Sequence, residues 1–175
     1  MKSARRVVMA LVATATAFTA TGCSNGLDVP KMFCGATVKK STLSPLLPDG
    51  DELKNLLFAP TPSELDCSLH VDGVEVLDTE VRWIDEPLAP EDWKTAGSIY
   101  RKASKRRVSF PGTAVIGTNG ARITAKCVGA VPDFLLFNVV FDGDRVENSQ
   151  AGVDKLQRFL EDYVPAMAKH LGCTK

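Results

Sequence analysis

The chain has 175 residues, of which 45% are hydrophobic, so its length suits one domain and its apolar fraction is sufficient for a packed core. Its 21 basic residues are balanced by 21 acidic ones. This balance lacks the basic excess that a nucleic-acid-binding domain usually shows, so we expect no nucleic acid among the partners.

The first 22 residues have the pattern of a secretory signal peptide. Lys2, Arg5 and Arg6 form a basic start. An uncharged, mostly apolar run of about 14 residues follows, shorter than the roughly 20 needed to span a bilayer. Removing those three cations with the leader leaves a net charge of −3 on the remaining 153 residues. Arg5-Arg6 leaves a twin-arginine signal open as an alternative export route.

Small residues lead directly into a cysteine at the end of this leader. The stretch Ala20-Thr21-Gly22-Cys23 resembles the lipobox of bacterial lipoproteins, with Ala20 where the commonest version has leucine. In those proteins the cysteine thiol receives a diacylglycerol and becomes the new N-terminus. The resemblance therefore implies lipid attachment at Cys23. The alternative is an ordinary signal peptide cleaved near Ala20, which leaves Cys23 as a free or paired thiol.

The lipobox implies an exported protein anchored to the outer face of the cell membrane by its N-terminal diacylglyceryl cysteine. On this interpretation, 1–22 is the signal peptide, 23–31 is a lipidated tether and 32–175 is a single extracytoplasmic domain. The sequence after the leader contains no second long apolar run, so we expect no other membrane-embedded segment.

Acylation of Cys23 would leave an even number of cysteines, namely Cys34, Cys67, Cys127 and Cys173. An even number in an exported domain predicts two disulfides. We favour Cys34–Cys67 with Cys127–Cys173, because each bond would staple a terminal segment to a core strand. The main alternative, Cys34–Cys173 with Cys67–Cys127, requires the two strands to be adjacent. The spacing of these cysteines matches neither a zinc site nor a thioredoxin-type redox centre.

The first half of the domain contains one clear hairpin. A short helical turn is expected over 41–47, whereas 51–57 is ambiguous between helix and strand. Residues 67–71 alternate between apolar and polar types, Asp72-Gly73 is a hairpin turn, and the returning strand runs to Trp83. The apolar positions change parity in that strand, which predicts a β-bulge around Leu77-Asp78.

A helix is expected over about 90–104. It begins at Pro90, a residue favoured in the first helical turn, and Trp93, Ala96 and Tyr100 fall on one stripe. We expect a strand over 106–110 to follow it.

The second half predicts a further hairpin, a central strand and a long helix. Residues 113–117 and 121–128 flank the turn-forming pair Asn119-Gly120. The almost continuously apolar stretch 134–141 is typical of a central strand. Three-four spacing of apolar residues predicts a helix over about 153–171, with Pro165 inside it and Gly172 ending it. The fold class is therefore α+β: a mainly antiparallel sheet, a packed middle helix, a long C-terminal helix and two disulfides.

No catalytic motif is recognisable, so we predict no catalytic, cofactor-binding or metal-binding residue and expect that the protein is not an enzyme. His70 is expected to face outward on a strand, and His170 lies in the last helical turn. Asp142, Asp144 and Glu147 have some calcium-loop character but lack the full pattern, so turn chemistry explains them better.

Five cations lie close together after the middle helix: Arg101, Lys102, Lys105, Arg106 and Arg107. This basic run would suit anionic lipid headgroups or acidic wall polymers, with each cation contributing about 1 kcal/mol near an anionic surface. The alternative is a solvated helix end whose cations complement the helix dipole.

The lipobox, the small domain, the four spaced cysteines and the ending Leu171-Gly172-Cys173 together resemble small uncharacterised lipoproteins of actinobacteria. Some of those are thought to share the fold of the PsbP/Mog1 group, an antiparallel sheet flanked by helices, and the resemblance implies no agreed activity. Our leading hypothesis is a non-enzymatic envelope lipoprotein that binds an envelope protein or an anionic polymer. The alternatives are a hydrolase whose site assembles from scattered residues, and an accessory that modulates a membrane signalling protein.

Overall fold

Most strands of the chain form one antiparallel sheet, and the C-terminal helix packs on it. The computed structural model describes residues 27–61, 63–128, 132–142 and 146–173. The strands are β1 (Met32–Phe33), β2 (Ala36–Thr37), β3 (Leu53–Thr61), β4 (Glu64–Val71), β5 (Val74–Ile84), β6 (Ser104–Arg106), β7 (Gly112–Ile116), β8 (Gly120–Lys126) and β9 (Phe134–Phe141). The helices are α1 (Lys40–Leu43), followed by a 3-10 turn (Ser44–Leu46), α2 (Pro90–Ile99) and α3 (Gln150–His170). The predicted α+β class is confirmed.

Seven strands pair in the order β3-β4-β5-β9-β8-β7-β6, and β1 and β2 form a separate ribbon. The apolar stretch 134–141 is the central strand, as predicted. Phe137 and Val139 are fully buried on the side that faces α3, whereas Leu136 is buried on the opposite side. Burial on both sides explains why this strand lacks the alternation of its neighbours.

The predicted first hairpin is present. Asp72 and Gly73 both have positive φ, 51° and 80°, which suits a two-residue turn between twisted strands. The register of β4 and β5 shifts between Leu69 and His70. Leu69 pairs with Leu77 and His70 pairs with Glu75, so the extra residue is Val76, slightly before the predicted bulge.

The stretch 51–57, ambiguous between helix and strand in the sequence, contributes to the edge strand β3. Two other segments differ from the expectation. The middle helix ends at Ile99 instead of near 104, and β6 begins at Ser104 instead of 106. The cause is tertiary, because the Arg101 amide donates to the Asn119 side chain at 2.6 Å and the Arg101 carbonyl accepts from the Thr118 amide at 2.8 Å. These bonds turn the chain before the helical periodicity ends.

The core lies between the sheet and α3. The hydroxyl of Ser149 caps this helix by accepting from the Gly152 amide at 3.2 Å, and the left-handed Gly172 (φ 77°) follows its last turn. The rings of Phe159 and Tyr163 stack with their centroids 5.4 Å apart, and Phe33 of β1 lies 5.3 Å from Tyr163. Burial raises the pKa of Tyr163 far above its usual value, so its hydroxyl stays neutral.

The structure pairs Cys34 with Cys67 and Cys127 with Cys173, the pairing favoured from the sequence. The Cα atoms lie 5.7 and 4.5 Å apart respectively. The packed region also reaches back into the expected tether 23–31, because Val29 is only 5% exposed.

Alanine substitution of Gly152 in α3 and of Gly97 in α2 should have opposite effects on stability. A Cβ at Gly152 would collide with the carbonyl oxygen of Glu147, whereas a Cβ at Gly97 would meet nothing within 4 Å. Gly152→Ala should therefore lower the free energy of unfolding by about 1–3 kcal/mol despite the better helix propensity of alanine. Gly97→Ala should raise it by about 0.5–1 kcal/mol. Chemical denaturation of both variants checks this, and equal effects would contradict the steric argument.

Candidate functional site

The sheet surface opposite α3 is covered over only part of its width. Helix α2 packs on β7 and β8 through Ala96, Tyr100 and Val115. A Cβ on Gly120 would collide with the Tyr100 ring, which shows how closely this helix approaches. The part of this surface over β3, β4 and β5 is covered by no helix of the described residues.

We call this uncovered part the acidic half-face. Strand alternation places carboxylates from β4 and β5 side by side, and the register sets Asp66 opposite Glu80 and Ser68 opposite Asp78. The acidic half-face is defined by Glu64, Asp66, Glu75, Asp78 and Glu80. The sequence alone does not predict this site, because its members come from two strands joined by a bulged hairpin.

A chain of hydrogen bonds fixes the centre of the acidic half-face. Glu80 accepts from Arg82 Nε at 2.6 Å and from Asn138 Nδ2 at 2.8 Å. Asn138 Oδ1 in turn accepts from Arg122 Nε at 2.8 Å. The chain crosses from β5 over β9 to β8, so the carboxylate of Glu80 is held by partners on two strands.

Three carboxylates of this surface lie very close together. One oxygen each of Glu64, Asp66 and Glu80 lies within 4.8 Å of the others, close enough to share a proton or a cation. Asp66 Oδ1 is buried without a hydrogen-bond partner. Both oxygens of Glu80 are already bonded to Arg82 and Asn138, so a cation would have to compete with these two donors.

The crowding shifts two acidic pKa values. Desolvation, the hydrogen bond to Glu80 and the charges of Asp66 and Glu80 raise the pKa of Glu64. Desolvation and the nearby charges of Glu75, Asp66 and Glu80 raise the pKa of Asp78. The surface therefore holds protons more tightly than separate carboxylates would.

His70 lies at one end of the acidic half-face and is partly buried. Its Nε2 lies 2.9 Å from Ser68 Oγ and 3.7 Å from Glu75 Oε2. In a nucleophilic triad the serine and the carboxylate bond to different ring nitrogens, whereas here both approach Nε2. The imidazole is therefore not placed between Ser68 and the carboxylate as it is in a triad.

His170 is exposed at the end of α3, as expected from the sequence. It lines a shallow depression with Gly35, Thr37 and Lys169. The residues lining this depression include no carboxylate, so they offer the imidazole no partner that would orient it as a catalytic base.

The structure divides the basic run. Arg106 Nη2 donates to Asp154 of α3 at 2.8 Å and Arg106 Nε donates to Gln157 at 2.9 Å, so this cation ties β6 to the helix. Lys102, Lys105 and Arg107 are exposed. The backbone of Arg101 forms the turn after α2.

Large apolar side chains are exposed beside the carboxylates. Leu56 and Phe58 of β3 and Val140 of β9 are 53%, 65% and 42% exposed on the side that bears the acidic half-face. Leu57, on the opposite side of β3, is 58% exposed. The sequence showed these residues as apolar, but only the tertiary structure shows that nothing in the described chain covers them.

Cys23 and Asp144 lie outside the described residues. Among the described helices, none has the length and hydropathy that crossing a membrane requires. Comparisons of the chain with protein-family models, with curated proteins and with solved structures found no match.

The raised pKa of Glu64 predicts a pH dependence of stability. A carboxyl with a raised folded-state pKa contributes stability below its unfolded pKa and loses it as the pH rises through the folded value. Glu64→Gln mimics the protonated form. The unfolding temperature of this variant minus that of the unsubstituted protein should therefore increase from pH 4 to pH 7. Thermal unfolding across this range checks the effect. Glu86→Gln, on the exposed loop before α2, is the control. The same pH profile for both variants would contradict the predicted effect of Glu64.

Proposed function

We propose that the protein is a membrane-anchored extracytoplasmic lipoprotein with a non-enzymatic binding role at the cell envelope. The two disulfides support an extracytoplasmic location, because such bonds persist in oxidising compartments. They also use Cys34, Cys67, Cys127 and Cys173, which leaves Cys23, the cysteine of the lipobox-like stretch, as the one available for acylation.

The acidic half-face is the surface that we assign to binding. Exposed apolar side chains of β3 and β9 lie beside its carboxylates, and an apolar patch with a polar rim is typical of a surface that binds another protein. Its charge favours a partner that presents basic groups. An envelope protein with a basic and apolar patch therefore fits better than an acidic polymer at this surface.

The first test addresses the anchor. Cys23→Ala should move the protein from the membrane fraction to the soluble extracytoplasmic fraction, because the acyl acceptor is lost. Fractionation of cells expressing each form measures this, with Cys34→Ala as a control that changes a disulfide and leaves Cys23 available for acylation. Retention of Cys23→Ala in the membrane would overturn the lipoprotein assignment.

The second test addresses the binding surface. A photo-crosslinking amino acid at Val140, beside the acidic half-face, should capture a specific envelope protein in cells. The same group at Ile99 of α2, which is 51% exposed, is the matched control. Identical capture from both positions, or none from Val140, would contradict a binding role for this surface. Capture of a membrane signalling protein would support the alternative that this protein is an accessory that modulates it.

The exposed cations of the basic run, Lys102, Lys105 and Arg107, form a second surface, which we assign to binding anionic groups of the membrane or wall. Changing Lys102, Lys105 and Arg107 together to Gln should reduce retention on anionic liposomes at low salt, and high salt should abolish the difference. Stability should not change, since these side chains are exposed. Arg106→Gln is the contrasting variant: it should lower the free energy of unfolding by about 1 kcal/mol, because it breaks the bonds to Asp154 and Gln157. Unchanged liposome retention by the triple variant would exclude this surface.

A further inference from the structure

The edge strand β3 is unusually open for its length. It spans nine residues, and its packing is mainly against β4. Every residue from 54 to 59 is exposed, including Leu56, Leu57 and Phe58, so neither side of the strand is covered by the described residues. Long, apolar edges are normally shortened, charged or covered, because they promote pairing with another strand.

The hydrogen-bond pattern identifies the free backbone groups. The Asp72 amide donates to the Glu52 carbonyl at 2.9 Å, and the register pairs Leu53 with Val71. Since bonded and non-bonded pairs alternate in an antiparallel ladder, Lys54, Leu56 and Phe58 bond to β4. The amide and carbonyl groups of Leu53, Asn55 and Leu57 therefore point away from the sheet. The register shift that contains Pro60 lies beyond Phe58, so the proline does not interrupt this row.

We propose that β3 pairs antiparallel with β3 of a second copy about a two-fold axis at Leu56, which joins the two sheets. In this register Asn55 of each copy lies opposite Leu57 of the other, and their outward amides and carbonyls form mutual hydrogen bonds. At the ends, Leu53 lies opposite Ala59 of the second copy. The free groups of the edge thus find partners in an identical strand.

The side chains are also self-complementary in this register. Leu56 lies against Leu56 of the second copy, and Lys54 lies opposite Phe58 of the second copy, so an ammonium meets an aromatic ring. No like charges face each other across the axis, since the two Lys54 side chains are four positions apart. Pairing would bury the apolar side chains that the monomer exposes. It does not depend on the lipid anchor. It covers Leu56 and Phe58, and it leaves Val140 and the carboxylates of the acidic half-face available to a partner.

A cysteine scan of β3 tests the register. Residues opposite each other in a non-bonded antiparallel pair have Cα atoms about 4.5 Å apart, which permits a disulfide. Leu56→Cys should therefore give a covalent dimer of the full chain on mild oxidation in cells. The control Lys54→Cys places the two thiols roughly 14 Å apart, and Ile99→Cys lies on α2. We expect dimer from Leu56→Cys to exceed both controls by about tenfold, because pairing raises the effective thiol concentration. Mapping of the Cys34–Cys67 and Cys127–Cys173 bonds verifies folding.

Sedimentation of the chain without introduced cysteines provides the second measurement. Leu56→Asp sets two carboxylates against each other across the axis, so it should raise the dimer dissociation constant by about tenfold or more. Equal crosslinking of Leu56→Cys and both controls would overturn the pairing. So would a monomer that stays monomeric from about 1 to about 100 µM. A photo-crosslinking amino acid at position 56 that captured only a different protein, or lipid, would likewise assign the edge to another occupant.

Discussion

Contact between α3 and one side of the sheet is the interaction on which the rest of the structure depends. The helix buries Leu156, Phe159, Leu160, Tyr163 and Val164 completely. The Tyr163 hydroxyl lies 3.3 Å from Thr79 of β5, whose side chain is 3.5 Å from the sulfur of Cys34. The helix, the central sheet and the first disulfide thus meet at one buried point. Both disulfides reinforce this contact, since one holds β1 and β2 near the sheet and the other fixes the end of the helix.

The same arrangement explains why part of the sheet surface remains open. Seven strands spaced about 4.8 Å apart extend over roughly 29 Å, whereas one helix is only about 10 Å across. On the side opposite α3, the short helix α2 covers β7 and β8 and leaves β3 to β5 uncovered. The carboxylates of β4 and β5 are at most partly buried, and the apolar residues of β3 are exposed, because no further helix is available to cover them among the described residues. The width of the sheet therefore determines which part of its surface stays uncovered.

Charges that are adjacent in the sequence have different roles in the fold. Arg106 is tied to α3 through Asp154 and Gln157, whereas Lys105 is exposed on the same strand. Strand alternation separates the two side chains, one toward the helix and one away from it. Conversely, Asp66 and Glu80 lie on different strands but are opposite in register, which concentrates negative charge beside Glu64. Desolvation, together with this charge and the hydrogen bond to Glu80, raises the pKa of Glu64. A surface proposed from a charge run alone would have included a structural cation and missed the acidic cluster.

Local sequence patterns predict the fold class, the strand at 134–141, the hairpin at Asp72-Gly73 and the C-terminal helix, because periodicity and turn chemistry are local properties. They also favour the observed cysteine pairing. The end of α2 depends instead on long-range contacts, since it is set by hydrogen bonds between Arg101 and residues 118–119. Only the tertiary structure decides that 53–61 is an open edge strand and that three carboxylates converge. These features depend on which strands become neighbours and which surfaces the helices leave uncovered, and no local pattern encodes either.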